Sequence, residues 1–79
     1  MKVKLLCFGI SKDILGSSEL SMDVQATSVK ELKEELCANY PEFERLSSLR
    51  FAVDESYQED DFSLSEGQQI AIIPPVSGG

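Results

Sequence analysis

The run SVKELKEELCANYP, residues 28–41, limits the fold more than any other stretch, because it predicts one amphipathic helix with both ends marked. Ser28 and Glu31 stand at capping-box spacing: the serine hydroxyl accepts from an orphan backbone N–H and the glutamate reaches back to the cap. Val29, Leu32, Leu36, Cys37 and Tyr40 recur at helical spacing and form one apolar stripe. Pro41 disfavours helical geometry at Tyr40, so the helix should end near Asn39. A single helix cannot bury its own stripe, so a second apolar layer is required.

The remaining sequence supplies strands for that layer. KVKLLCF, residues 2–8, alternates with Val3, Leu5 and Cys7 on one face and Lys4, Leu6 and Phe8 on the other. Gly9–Ser18 holds two glycines and several polar residues and reads as a turn, with Ile10, Ile14 and Leu15 partly packed. ELSMDV sets Leu20, Met22 and Val24 opposite Glu19, Ser21 and Asp23, which is a half-buried strand completing a hairpin with the first. After the helix, PEFERLSS links to LRFAV, where Leu49, Phe51 and Val53 share a face and Arg50 and Ala52 take the other. A short acidic hairpin around DESYQEDDF follows; its carboxylates lack the spacing and central glycine of a calcium loop and read as a solvated turn. The last strand is IAIIP, with Ile70 and Ile72 facing one way and Ala71 and Ile73 the other. One sheet packed on one main helix buries both apolar faces, so the expected class is a two-layer α+β domain over residues 1–73, followed by a tail, residues 74–79.

Composition excludes several functions. The chain of 79 residues carries fourteen acidic and seven basic side chains, net charge −7, and has no basic stripe to neutralise phosphates, which argues against a nucleic-acid partner. With no histidine, it lacks the side chain best suited to proton transfer near neutrality, any Ser-His or Cys-His pair, and any His-containing zinc cluster. No stretch approaches the ~20 apolar residues of a membrane span, and no secretory signal follows Lys2 and Lys4. Cys7 and Cys37 have no metal-ligand spacing, lie on apolar faces and are expected to be buried inert thiols, consistent with the cytosol.

Two features remain. If Val3, Leu5, Cys7, Ile70 and Ile72 face the helix, then Leu6, Phe8, Ala71 and Ile73 face away from it, and Tyr57 is placed to join them from the acidic hairpin. An apolar second face on a small sheet marks a protein interface. Beyond Ile73, Pro74 and Pro75 end sheet pairing and extend the chain outward. Six residues at up to ~3.4 Å each carry the final carboxylate roughly 20 Å, and Gly78 and Gly79, without Cβ atoms, fit a channel too narrow for other residues.

These residues together resemble a known family. SVKELKEEL followed by NYPEF, LRFAVDESY, and above all EGQQIAIIPPVSGG are similar to the small, ubiquitin-like sulfur-carrier subunit of molybdopterin synthase, over essentially the whole chain. The resemblance implies the β-grasp fold, a mixed sheet whose first and last strands lie side by side. It further implies that a ubiquitin-activating-like adenylyltransferase, using ATP and Mg, adenylates the carboxylate of Gly79, and that a sulfur donor protein converts it to a thiocarboxylate. No cofactor is bound permanently. The tail then enters the large synthase subunit and gives its sulfur to a cyclic pyranopterin precursor. By the same resemblance, Phe8, Tyr57 and Ile73 contact the large subunit, Pro74, Pro75, Val76 and Ser77 form the threaded tail, and Gly78 gives access to both partner sites. The chain is then a non-catalytic carrier within a sulfurtransferase complex. Alternatives with the same fold and Gly-Gly end are a sulfur carrier for thiamin thiazole or tRNA thiolation and a ubiquitin-like modifier joined to lysines; a plain interaction domain with an inert tail is a third.

Overall fold

The computed structural model describes residues 1–45 and 49–73. The elements in chain order are β1 (Lys2–Cys7), α1 (Ile10–Leu15), β2 (Glu19–Asp23), α2 (Val29–Asn39), a 3-10 turn (Pro41–Arg45), β3 (Arg50–Val53), β4 (Ser56–Gln58) and β5 (Gln69–Ile73). The five strands form one mixed sheet in the order β2-β1-β5-β3-β4. β1 and β5 run parallel, with Leu5 opposite Ile70 and Cys7 opposite Ile72; the other pairs are antiparallel. First and last strands are thus central neighbours, which is the β-grasp arrangement.

α2 begins and ends where its sequence requires. Ser28, extended at φ −143° and ψ 165°, accepts from the Glu31 amide, and the amides of Val29 and Lys30 donate to the carbonyls of Phe62 and Asp60 at 3.0 and 2.9 Å. The orphan donors of the first turn are therefore satisfied by the cap and by the segment leading to β5. Glu31 does not reach back to Ser28: its Oε1 accepts from the Thr27 amide and the Thr27 hydroxyl, both at 2.8 Å. One turn later, Glu35 Oε1 accepts from the amides of Gln25 and Ala26, both at 3.0 Å. The two carboxylates thus accept from the Gln25, Ala26 and Thr27 amides in the backbone between β2 and α2. At the other end Tyr40 caps the helix at φ −132° and Pro41 stops it.

The core lies between the sheet and α2. Val3, Leu5, Cys7, Phe51, Val53, Ile70 and Ile72 face Val29, Leu32 and Leu36, all of them buried. Each such side chain stabilises the fold by about 1.5–3 kcal/mol. Phe43, read from sequence only as part of a link, is a fully buried member of this core and meets the Tyr40 ring edge-to-face at 6.3 Å between centroids. Residues 46–48 of that link lie outside the described residues.

Two expectations need correction. Gly9–Ser18 is not a plain turn, because Ile10–Leu15 forms a short helix between two glycines, with Gly9 at φ 56°, ψ −131° before it and Gly16 at φ 80° after it. Both conformations favour a residue without Cβ. Ile14 and Leu15 pack on the core as expected, but Ile10 is 48% exposed. Cys7 is buried, whereas Cys37 is only half-buried on the rim of α2. Both are free; burial pushes both thiols up, with the Glu44 charge adding to the effect at Cys37 against Lys33. Among the described residues, no helix is long and apolar enough to cross a membrane, and no group of three or more His, Cys, Asp or Glu is placed to hold a metal ion.

Candidate functional site

Side chains alternate across each strand, so the residues between the core positions of β1, β5 and β3 share the sheet face turned away from α2. The register sets Leu6 beside Ala71, Ala71 beside Ala52, and Ala52 beside Tyr57. This row crosses four strands, with a large side chain at each end and two alanines between them. Leu6 and Ala71 are half-buried, Ala52 is 8% exposed, and Tyr57 is 59% exposed. The row is a shallow apolar trough walled on one side by an aromatic ring.

The next row lies at the end of the sheet. Ile73 pairs with Arg50 across β5 and β3, and Phe8, one residue past the Cys7–Ile72 pair, stands level with Ile73 on its other side. Phe8 is 51% exposed and Ile73 half-buried. The Arg50 guanidinium lies 4.8 Å from the centroid of the Tyr57 ring, a cation–π contact worth about 0.5–1 kcal/mol where solvent reaches it. It joins the two rows. On the β1–β2 side, Lys4 pairs with Glu19 at 3.2 Å and gives the apolar area a polar margin.

The acidic hairpin positions Tyr57. Val53 pairs with Ser56, leaving Asp54 and Glu55 as a two-residue loop, both at positive φ (50° and 74°), as the tight turn matching strand twist requires. Asp54 also ties the loop to β5: its amide donates to the Gln69 carbonyl at 2.8 Å and its Oδ1 accepts from the Gln69 amide at 3.1 Å. The ring is therefore carried on a turn anchored to the strand that ends at Ile73.

Of the residues expected to form the site, Tyr57 and Ile73 lie on this face by their register, and Phe8 is exposed one residue past the end of β1. Gly79, Gly78, Pro74, Pro75, Val76 and Ser77 lie outside the described residues. Sequence reasoning missed Ile10, which it expected to be partly packed, and which is exposed two residues from Phe8. Its signal was available only as a helical start after Gly9. The face offers apolar area, one stacked cation and a carboxylate margin, and is suited to binding a protein.

The description ThiS family matches residues 5–79. A molybdopterin synthase sulfur carrier subunit from Caenorhabditis elegans is 32% identical over 83 residues, covering 100% of this chain and 99% of the relative. A molybdopterin converting factor subunit 1 structure from Pyrococcus furiosus superposes with a TM-score of 0.83 at 23% identity, covering 96% of this chain and 99% of its own. A chain in the complex of subunits 1 and 2 of molybdopterin-converting factor from Helicobacter pylori gives 0.66 at 26% identity, with 100% of both chains covered. The fold, the apolar outer face and these whole-length matches lead to one conclusion: the chain belongs to the ThiS family.

Proposed function

We propose that this chain is the sulfur carrier subunit of a molybdopterin synthase, working in the cytosol, and that Gly79 bears the transferred sulfur as a thiocarboxylate. The observation that carries the reading is a juxtaposition: β5 ends at Ile73 between Arg50 and the level of Phe8, so the PPVSGG segment begins at the rim of an exposed apolar face. A docking surface beside the root of a glycine-ended segment is what a carrier needs when its partners perform the chemistry.

The chemistry divides accordingly. A carboxylate is a poor electrophile; an adenylyltransferase using ATP and Mg gives Gly79 an acyl-adenylate and releases pyrophosphate. A persulfide on a donor protein then displaces AMP to give an acyl disulfide, and a second thiol, attacking the donor's sulfur and ending as a protein disulfide, releases the Gly79 thiocarboxylate. In the large subunit the thiocarboxylate sulfur bonds to a carbon of the cyclic pyranopterin precursor as an oxygen substituent leaves that carbon, and water then cleaves the acyl–sulfur bond, leaving sulfur on the precursor and a carboxylate on Gly79. Phe8, Tyr57 and Ile73 hold the large subunit, Pro74, Pro75, Val76 and Ser77 span to its active site, and Gly78 passes the narrowest point. Because one face must serve two partners in turn, neither complex is permanent.

The test is intact mass. Protein incubated with its activating enzyme, ATP, Mg and a sulfur source should gain the mass difference between sulfur and oxygen, and the Gly79 deletion should not. Restoration of molybdenum-enzyme activity by both wild type and the deletion, in cells lacking the carrier, would sink the assignment. Lysine-linked adducts that survive denaturant and reductant would point instead to a protein modifier.

A further inference from the structure

Ser11 is the one buried polar side chain among the described residues, at 0% exposure. Its hydroxyl accepts from the Phe8 amide at 2.9 Å, donates to the Phe8 carbonyl at 2.5 Å, and lies 3.4 Å from the Ile72 carbonyl. The hydroxyl has a single proton, so the short contact to Phe8 holds it and the Ile72 oxygen is a polar neighbour. Three segments meet at this group: the residue after β1, the first turn of α1 and the end of β5. Phe8 has left the strand ladder, since the β1–β5 pairing stops at Cys7 and Ile72, and Gly9 turns the chain away immediately afterwards.

The arrangement is not what burial of Phe8 would require. Its ring is 51% exposed and adds little to the core, yet its backbone N–H is held by a buried hydroxyl, and its carbonyl accepts from that hydroxyl and from the Ser11 amide at 3.1 Å. We propose that Ser11 is a positioning residue for the docking face, fixing Phe8 against the end of β5 so that the ring and Ile73 meet a partner as one pre-ordered surface. This rests on the carrier reading above. The chemistry stays at the partner, so the role falls on association: a Phe8 backbone already fixed leaves less to immobilise when the large subunit binds.

The experiment uses full-length protein, first converted to the thiocarboxylate and verified by mass, with the purified large subunit and the pyranopterin precursor. In Ser11→Ala, amide exchange at Phe8 should accelerate while exchange at Leu5 in the centre of β1 stays as in wild type. KM for the carrier should rise roughly two- to tenfold, the factor expected when one anchoring side chain is ordered only on binding, with kcat unchanged. Ser11→Cys, which fills the space with a poor acceptor, gives the same readout if the alanine variant does not fold. Val24→Ala, a core truncation beside Met1 at the opposite end of β1, should lower stability and leave KM alone. Unchanged Phe8 exchange and KM would overturn the proposal, as would an equal KM rise in Val24→Ala. If the wild-type chain transfers no sulfur, the carrier reading fails and takes the effect on KM with it; the exchange of Phe8 then still decides whether Ser11 holds that residue.

Discussion

The loop between β3 and β4 sets up a substitution that should stabilise the protein. Asp54 and Glu55 both sit at positive φ, 50° and 74°, in a two-residue connection whose favoured sequence is Asn-Gly or Asp-Gly. Aspartate tolerates this region, whereas a longer side chain such as Glu55 costs about 1–2 kcal/mol there because Cβ crowds the following carbonyl. Glycine removes that crowding but gives back about 0.5–1 kcal/mol through the greater freedom of the unfolded chain. At the middle of both ranges Glu55→Gly should therefore gain about 0.75 kcal/mol, which for a domain of this size raises Tm by about 3–6 °C. Thermal unfolding followed by circular dichroism measures it. Glu55→Gln separates backbone from charge, since it removes one carboxylate from the acidic hairpin and keeps Cβ; it should show no comparable gain. If the glycine variant melts at or below the wild-type temperature, or if the glutamine variant gains as much, the backbone argument is wrong.

Phe8→Ala and Tyr57→Ala should each weaken association with the large subunit by about 1–3 kcal/mol, read by calorimetry, with Tm close to wild type because both rings are mostly exposed. Phe43→Ala should cost about 3–5 kcal/mol in urea unfolding, a large share of the ~5–15 kcal/mol that holds such a domain together. The Thr27 amide and, after it, the Thr27 hydroxyl hold the Glu31 carboxyl below its ordinary range. Its stabilising effect is therefore present above the ordinary carboxylate pKa and lost as pH falls through the lowered value. Urea midpoints of wild type and Glu31→Gln should differ at neutral pH and converge once the pH is below that carboxyl.

What the sequence made legible follows from periodicity. Strands and α2 declare themselves because their apolar residues repeat at period two or at helical spacing, and the helix limits at Val29 and Asn39 match the cap and the proline. The same logic placed Leu6, Ala71, Ile73 and Tyr57 on the outer face. It failed where there was no repeat to read. Phe43 is a lone apolar residue in a polar link, and only the tertiary fold shows that a 3-10 turn drives it into the core. Gly9 and Gly16 looked like turn residues because glycine favours turns; here they bound a helix of six residues, too short for a stripe to stand out. Glu31 obeys the capping-box spacing yet serves Thr27, whose amide and hydroxyl both donate to its Oε1.

The direction of β5 decides how the site is built. Because β5 runs parallel to β1, their C-terminal ends emerge at the same end of the sheet, and Ile73 comes level with Phe8. Antiparallel pairing at the same place would leave Ile73 near Lys2 and start the following segment beside Met1, a sheet length away from the Phe8 ring. Parallel neighbours need a long crossover, and the chain supplies one through α2 and the β3–β4 hairpin, which also brings Tyr57 and Arg50 to the outer face. The helix that buries the core and the hairpin that completes the outer face are thus parts of the connection that makes this parallel pairing possible. Tyr57 and Ile73 come to one face of the sheet through the crossover, although nothing in their local sequences links them.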